Sequence, residues 1–205
     1  MELFLATFSA LFSVVNPFGA MPVFLTLTQD DTLERRNQQA RNACFYMLGI
    51  LVTFFFIGQY VLNFFGVRLE DLRIAGGLMI MKAGFDLLNS KTGGRKISKT
   101  AVADSINRDD ISFTPLAMPM LSGPGAIAVS ISMFRPNLHT MDFATIIAGI
   151  ALVAALSFAI LYFSSSLMRF MGRAGLEALS KIMGFIVLAI GVNFIVSSVV
   201  SLLKQ

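Results

Sequence analysis

Charged residues divide the chain into six long apolar stretches. Of the 16 basic and 12 acidic residues, only Lys82 and Asp86 fall inside one of these stretches, which cover 3–27, 43–65, 74–88, 113–133, 143–167 and 182–203. A helix needs about 20 apolar residues to cross the hydrocarbon core of a bilayer. Five stretches are long enough, and the third must include interfacial neighbours such as Arg73 or Asn89. Because the stretches are apolar on all sides, without the alternation of barrel strands, they predict an all-α membrane protein with six transmembrane helices.

The basic residues are shared unequally between the two sides of such a bundle. Cytoplasmic loops of membrane proteins carry an excess of Lys and Arg. The segments 28–42, 89–112 and 168–181 lie on one side and hold 11 of these residues, whereas the other side holds 4. The imbalance predicts that both termini face the periplasmic or extracellular side.

Composition narrows the function by exclusion. The chain is 56% hydrophobic and 14% charged, with a mean hydropathy of +0.75, whereas about a quarter of the residues of a soluble domain are charged. This argues against a cytosolic enzyme or a nucleic-acid binder. One cysteine, Cys44, and one histidine, His139, exclude an internal disulfide framework and a multi-histidine metal site. We therefore expect neither a bound metal nor another cofactor.

The two halves of the chain share a pattern at an offset of about 107 residues. Leu-Glu-Asp-Leu at 69–72 is echoed by Leu-Glu-Ala-Leu at 176–179, and both motifs precede the third helix of a half. Since each half has three helices, an odd number, the second half must enter the membrane from the opposite side. The pattern predicts two inverted three-helix repeats, 1–90 and 113–205, joined by a polar cytoplasmic linker at 91–112.

Five of the six prolines fall in the first and fourth predicted helices, which occupy matching places in the two halves. An interior proline removes a backbone hydrogen bond and breaks or kinks a helix. Breaks at corresponding places in inverted halves are typical of transporter binding sites. The candidate solute-binding residues beside these breaks are Asn16, Pro17, Gly19, Pro22, Ser122, Gly123, Pro124 and Gly125. The alternative is a pair of kinked helices that pack through their small residues.

Lys82 is unusual because it lies well inside the third stretch, with Asp86 one helical turn away. A lysine at the bilayer centre costs about 2.5–3.5 kcal/mol on insertion scales. One interpretation is a cavity-facing cation with a role in solute binding, coupling or gating. The other is a Lys–Asp pair that satisfies itself.

Several motifs are spread over nearly the whole chain. They are Asn-Pro-Phe-Gly at 16–19 with Pro-Val-Phe-Leu at 22–25, Leu-Arg-Ile-Ala-Gly-Gly at 72–77, Pro-Leu-Ala-Met-Pro at 115–119 with Ser-Gly-Pro-Gly at 122–125, and Ile-Met-Gly-Phe at 182–185. In this combination the chain resembles the MarC family of integral membrane proteins, within the LysE-type transporter group. The resemblance implies a six-helix protein of the prokaryotic inner membrane. Some archaeal members are described as transporters of small neutral amino acids, so glycine or alanine is the substrate class it suggests.

These observations favour a secondary transporter that moves a small solute by alternating access. The chain has no Walker motif, no His-Glu-x-x-His and no Gly-x-Ser-x-Gly, so we expect neither direct ATP drive nor enzymatic activity. A non-transporting membrane scaffold or sensor, and an exporter of a different small solute, stay open as alternatives. So do a coupling ion, sodium or proton, and a homo-oligomer. The expected partners are the lipid bilayer and the solute, and no nucleic acid.

Overall fold

The computed structural model describes residues 2–89, 110–135 and 138–204, and within these ranges the regular structure is helical. The segments are α1 (Glu2–Val15), α2 (Pro17–Leu27), α3 (Leu33–Phe64), α4 (Leu69–Leu88), α5 (Ser112–Leu121), α6 (Pro124–Ser132), α7 (Thr140–Tyr162) and α8 (Ser164–Leu203). α5 is a π-helix with extended backbone at Thr114 and Met118. Residues 91–109 of the predicted linker lie outside the described ranges.

Four stretches of helix are long and apolar enough to cross a membrane: Glu2–Leu27, Leu33–Phe64, Thr140–Tyr162 and Glu177–Leu203. The bent pair of α5 and α6 makes a fifth if it counts as one span. α4 has 20 residues, but charged side chains at both ends and in its second half keep it out of this group. The fold is therefore all-α, with four to five candidate membrane spans among the described residues.

Two of the predicted connecting segments, 28–42 and 168–181, are shorter than expected, because helices extend into them. α3 begins at Leu33, so Arg35, Arg36 and Arg41 lie on its first turns and not in a loop over 28–42. α8 consists of two helical stretches that meet at Gly172, inside the predicted segment 168–181, where φ is 64° and ψ is 179°. The apolar span begins at Glu177. A charged residue ends an apolar surface but does not end a helix, since Lys, Arg and Glu are good helix formers.

The core lies between the two halves of the chain. α3 packs against α7, α1 packs against α7, and α3 packs against α5 and α6. α4 runs along α8, and it also contacts α6, while α2 contacts α8. Nearly all the extensive contacts among the described helices therefore join a helix of the first half of the chain to a helix of the second half.

The contact between α4 and α8 depends on two pairs of glycines. A β-carbon added at Gly77 would lie 2.8 Å from the carbonyl oxygen of Gly191, and one added at Gly84 would lie 2.8 Å from that of Gly184. Residues without side chains let helix backbones approach closely in a membrane. These four glycines set the separation of the two helices.

Candidate functional site

Asn16 forms the break between α1 and α2. Its backbone has φ 46° and ψ 69°, the one positive φ outside glycine among the described residues. The side-chain Oδ1 accepts a hydrogen bond from the amide of Gly19 at 3.2 Å. Pro17 then occupies the first helical position, where its missing N–H leaves no bond unmade. Asn16 thus caps α2 with the amide that the sequence had suggested for solute binding, and α2 continues through Pro22.

The fourth predicted helix is divided into α5 and α6, which meet at 62°. The amide of Ser122 donates to the carbonyl oxygen of Ala117 at 2.7 Å, which closes the wide last turn of α5. Gly123 is extended and precedes α6, which Pro124 opens. The Ser122 hydroxyl is fully buried and has no hydrogen-bond partner within the described part of the chain.

The two breaks lie side by side inside the bundle. A β-carbon added at Gly125 would lie 3.3 Å from Cγ1 of Val14, two residues before Asn16, and α2 contacts α5. Most of the predicted site residues are buried, with Pro22 partly exposed and Pro124 exposed. The breaks are therefore close together and tightly packed in this conformation.

An open cavity of about 1070 Å³ lies at the end of the bundle where α1 begins. We call it the outer cavity. α1, α6 and α8 supply most of its walls, with α4 at one side and the start of α7 at the rim. Its polar and charged lining residues are Thr7, Ser9, Ser13, Arg73, Ser132, Arg135, Asp142, Asn193 and Ser197.

The outer cavity approaches the breaks but does not include them. The lining residue Ser13 lies about one helical turn before Asn16, and the lining residue Val129 lies about one turn after Gly125. None of the eight predicted solute-binding residues is part of the described lining. Their role in solute binding stays a prediction.

At the opposite end of the bundle, Arg36 on α3 forms hydrogen bonds with both halves of the chain. Its Nη2 donates to the carbonyl oxygen of Thr28 at 2.7 Å, and its Nε donates to the Thr28 hydroxyl at 3.1 Å. Its Nη1 donates to the Ser165 hydroxyl, at the start of α8, at 3.0 Å. We call these contacts the Arg36 bridge. They join the two halves of the chain at the end remote from the outer cavity.

Lys82 and Asp86 lie away from both features. Lys82 is exposed and Asp86 is partly exposed on α4, whose buried face carries Gly77, Ile80 and Gly84. Neither Lys82 nor Asp86 is part of the described lining of the outer cavity. The ion pairs of the described residues do not include this pair.

Sequence reasoning missed the polar residues of the outer cavity. The sequence marks Arg73 only as an interfacial neighbour of the third stretch. The motif at 72–77 drew attention to the segment of Arg73, but no local pattern links that segment to α8. Only the folded bundle brings them to one cavity.

Comparison with known proteins gives one consistent match. The model of the family described as MarC family integral membrane protein matches residues 1–203. The UPF0056 membrane protein MJ1677 of Methanocaldococcus jannaschii is 33% identical over 199 residues, 97% of each chain. The UPF0056 membrane protein YvbG of Bacillus subtilis is 33% identical, over 92% of this chain and 90% of its own.

A third relative is the UPF0056 inner membrane protein MarC of Citrobacter koseri. It is 33% identical over 95% of this chain and 92% of its own. No solved structure matches the chain.

Proposed function

The chain belongs to the MarC family of integral membrane proteins, and from that premise we propose that it is a secondary transporter that moves a small solute by alternating access. The observation that carries the proposal is the outer cavity. It is open at one end of the bundle and approaches two adjacent helix breaks, while the Arg36 bridge joins the two halves of the chain at the other end. A carrier caught open to one side has this arrangement.

The proposal includes six membrane crossings in two inverted repeats. Contacts between the halves support it, because exchanging the halves maps α3–α7 and α4–α8 onto themselves and maps α1–α7 onto α3–α5 and α3–α6. The glycine pairs support it too. The 107-residue offset relates Gly77 to Gly184 and Gly84 to Gly191, whereas the contacts join Gly77 to Gly191 and Gly84 to Gly184. Reciprocal contacts of this kind are what a two-fold axis produces.

The proposed orientation follows from the excess of basic residues. The ends of α2, α4 and α7 share the basic side with the start of α3. In the inner membrane of a prokaryote, that side faces the cytoplasm. The outer cavity and both termini then face outward, and the Arg36 bridge is a cytoplasmic closure.

The proposed substrates are small neutral amino acids such as glycine or alanine, a class that rests on the family resemblance. We expect purified protein in liposomes loaded with unlabelled glycine to take up radiolabelled glycine or alanine by counterflow, and protein-free liposomes to take up none. Uptake of neither, with correctly folded protein, would favour the alternative of a membrane scaffold or sensor. Counterflow of a different solute from a panel would support the carrier function and contradict the proposed substrate class.

We predict that Arg36→Ala weakens the cytoplasmic closure. The change removes three hydrogen bonds from a cationic donor, each of a kind that contributes about 1.5–3 kcal/mol. A cysteine placed at Ala40, which is fully buried one helical turn after Arg36, should become reactive towards a water-soluble maleimide in the Arg36→Ala protein. Arg35→Ala, on the exposed side of the same turn, serves as the control. Equal reactivity at position 40 in both variants would show that Arg36 does not close this end.

A further inference from the structure

Arg73 is a partly buried cation in the wall of the outer cavity. It lies in the second turn of α4, and its Nη2 donates to the carbonyl oxygen of Ser132 at 3.2 Å. Among the described residues it forms no ion pair, although Glu70 and Arg135 lie close enough for their charges to act on it. Within the described part of the chain, its Nε and Nη1 groups have no hydrogen-bond acceptor, so they can donate to a ligand in the cavity.

The surroundings of Arg73 contain both basic and acidic groups, with Glu70 close to it but outside the described lining of the cavity. Arg135 lines the same cavity and adds a second guanidinium group. The one carboxylate in the described lining, Asp142, accepts a hydrogen bond from the amide of His139 at 3.0 Å and caps α7. Two uncharged polar residues also line the cavity, Asn193 on α8 and Ser13 on α1. The cavity has two cations, one anion engaged in a cap, and neutral donors and acceptors.

We propose that Arg73, assisted by Arg135, binds the carboxylate of the solute in the outer cavity, so that a carboxylate is required for entry. A guanidinium group presents two parallel N–H donors that match the two oxygens of a carboxylate. Partial burial strengthens the attraction, since the charge is less screened than at the surface. The inference rests on the proposed function. In this inference Arg73 selects the solute, and the first binding step takes place in the outer cavity, away from the helix breaks.

The charge of the cavity can be measured without knowing the solute. Because Cys44 is the one cysteine of the chain, Cys44→Ala with Ser13→Cys leaves a single thiol in the cavity wall. Relative to their rates with a small thiol in solution, we expect a negatively charged methanethiosulfonate to label position 13 faster than a positively charged one. Arg73→Gln should reduce this preference about fivefold, the effect of removing one partly screened charge from the wall of the same cavity.

Arg68→Gln is the matched control. Arg68 is an arginine near the same end of α4, but it is exposed, pairs with Asp71 at 3.1 Å and is not part of the described lining. Its loss should leave the preference nearly unchanged. Equal effects of the Arg68 and Arg73 changes would overturn the proposal, because the preference would then reflect the general charge of this end of the protein.

Protection by small probes tests the carboxylate. Acetate and glycine should slow the labelling of position 13, whereas glycinamide, which keeps the amine and replaces the carboxylate with an amide, should not. Arg73→Gln should abolish the protection, and Arg73→Lys should restore part of it. Protection by inorganic phosphate alone would contradict the carboxylate assignment, and protection by no probe would overturn the site.

The counterflow assay separates this inference from the proposed function. If Arg73→Gln leaves the counterflow of glycine unchanged, the role of Arg73 is refuted and the carrier function is supported. Protection by glycine that depends on Arg73, in a protein without counterflow of any carboxylate, would support the site and refute the transport function.

Discussion

Gly84→Ala is expected to destabilise the protein by about 1–3 kcal/mol or more, the range for overpacking a close contact. The added β-carbon would lie 2.8 Å from both the carbonyl oxygen of Gly184 and the amide nitrogen of Leu188. Both are backbone atoms, so neither can move aside without moving α8. α4 would have to separate from α8 along its length. The thermal midpoint in detergent and the fraction of monodisperse protein would report the loss.

Gly49→Ala is the matched control for this prediction. Gly49 is also a helical glycine, but a β-carbon added there would meet no other atom within 4 Å. Alanine should leave the thermal midpoint unchanged or raise it, since it favours a helix over glycine by up to about 1 kcal/mol. Gly184→Ala should be intermediate, because its nearest contacts would be 3.0 Å and longer. Equal midpoints for the Gly84 and Gly49 variants would mean that α4 and α8 do not approach this closely.

Asn16→Ala is expected to destabilise the protein by about 2 kcal/mol more than Asn16→Gly does. Alanine removes the cap of α2 and must also adopt the left-handed backbone of Asn16, at φ 46°, which favours glycine. Glycine removes the same cap but adopts this backbone without strain. Thermal unfolding of the two variants in one detergent would measure the difference.

Asn16→Gly also separates the two roles of this residue. If the amide binds solute, the variant should have weaker apparent affinity in counterflow at near wild-type stability. If Asn16 only caps α2, its affinity should be unchanged. Equal stability of the alanine and glycine variants would contradict the left-handed conformation itself.

Helix ends were predictable from sequence where a charge or a break marks them. The predicted stretches end at residues 27, 65, 88 and 133, and the corresponding helices end at Leu27, Phe64, Leu88 and Ser132. The boundary between α7 and α8 was not predictable in this way. Three uncharged serines follow the turn at Phe163, so the apolar stretch continues across it to residue 167. The amide of Phe163 still donates to the carbonyl oxygen of Ala159, as in a helix, so hydropathy does not mark the end of α7.

Some features of the candidate site could also be predicted from the sequence, and others could not. The breaks near Asn16 and Gly123 were predictable because proline and glycine act on their own backbone. The capping role of the Asn16 side chain was not, since an amide suits a ligand and a helix cap equally well. The outer cavity was not predictable at all, because Ser13, Arg73 and Asn193 come from three distant segments.

The sequence by itself determined that this is a helical membrane protein, where its apolar segments lie and where two of them break. These properties are local, because a bilayer excludes charge and sets one length for every span. Only the tertiary structure decided which glycines meet, which end of the bundle is open and which cation faces the cavity. Those properties depend on distances between helices far apart in the chain, and such distances follow from the packing of the two halves.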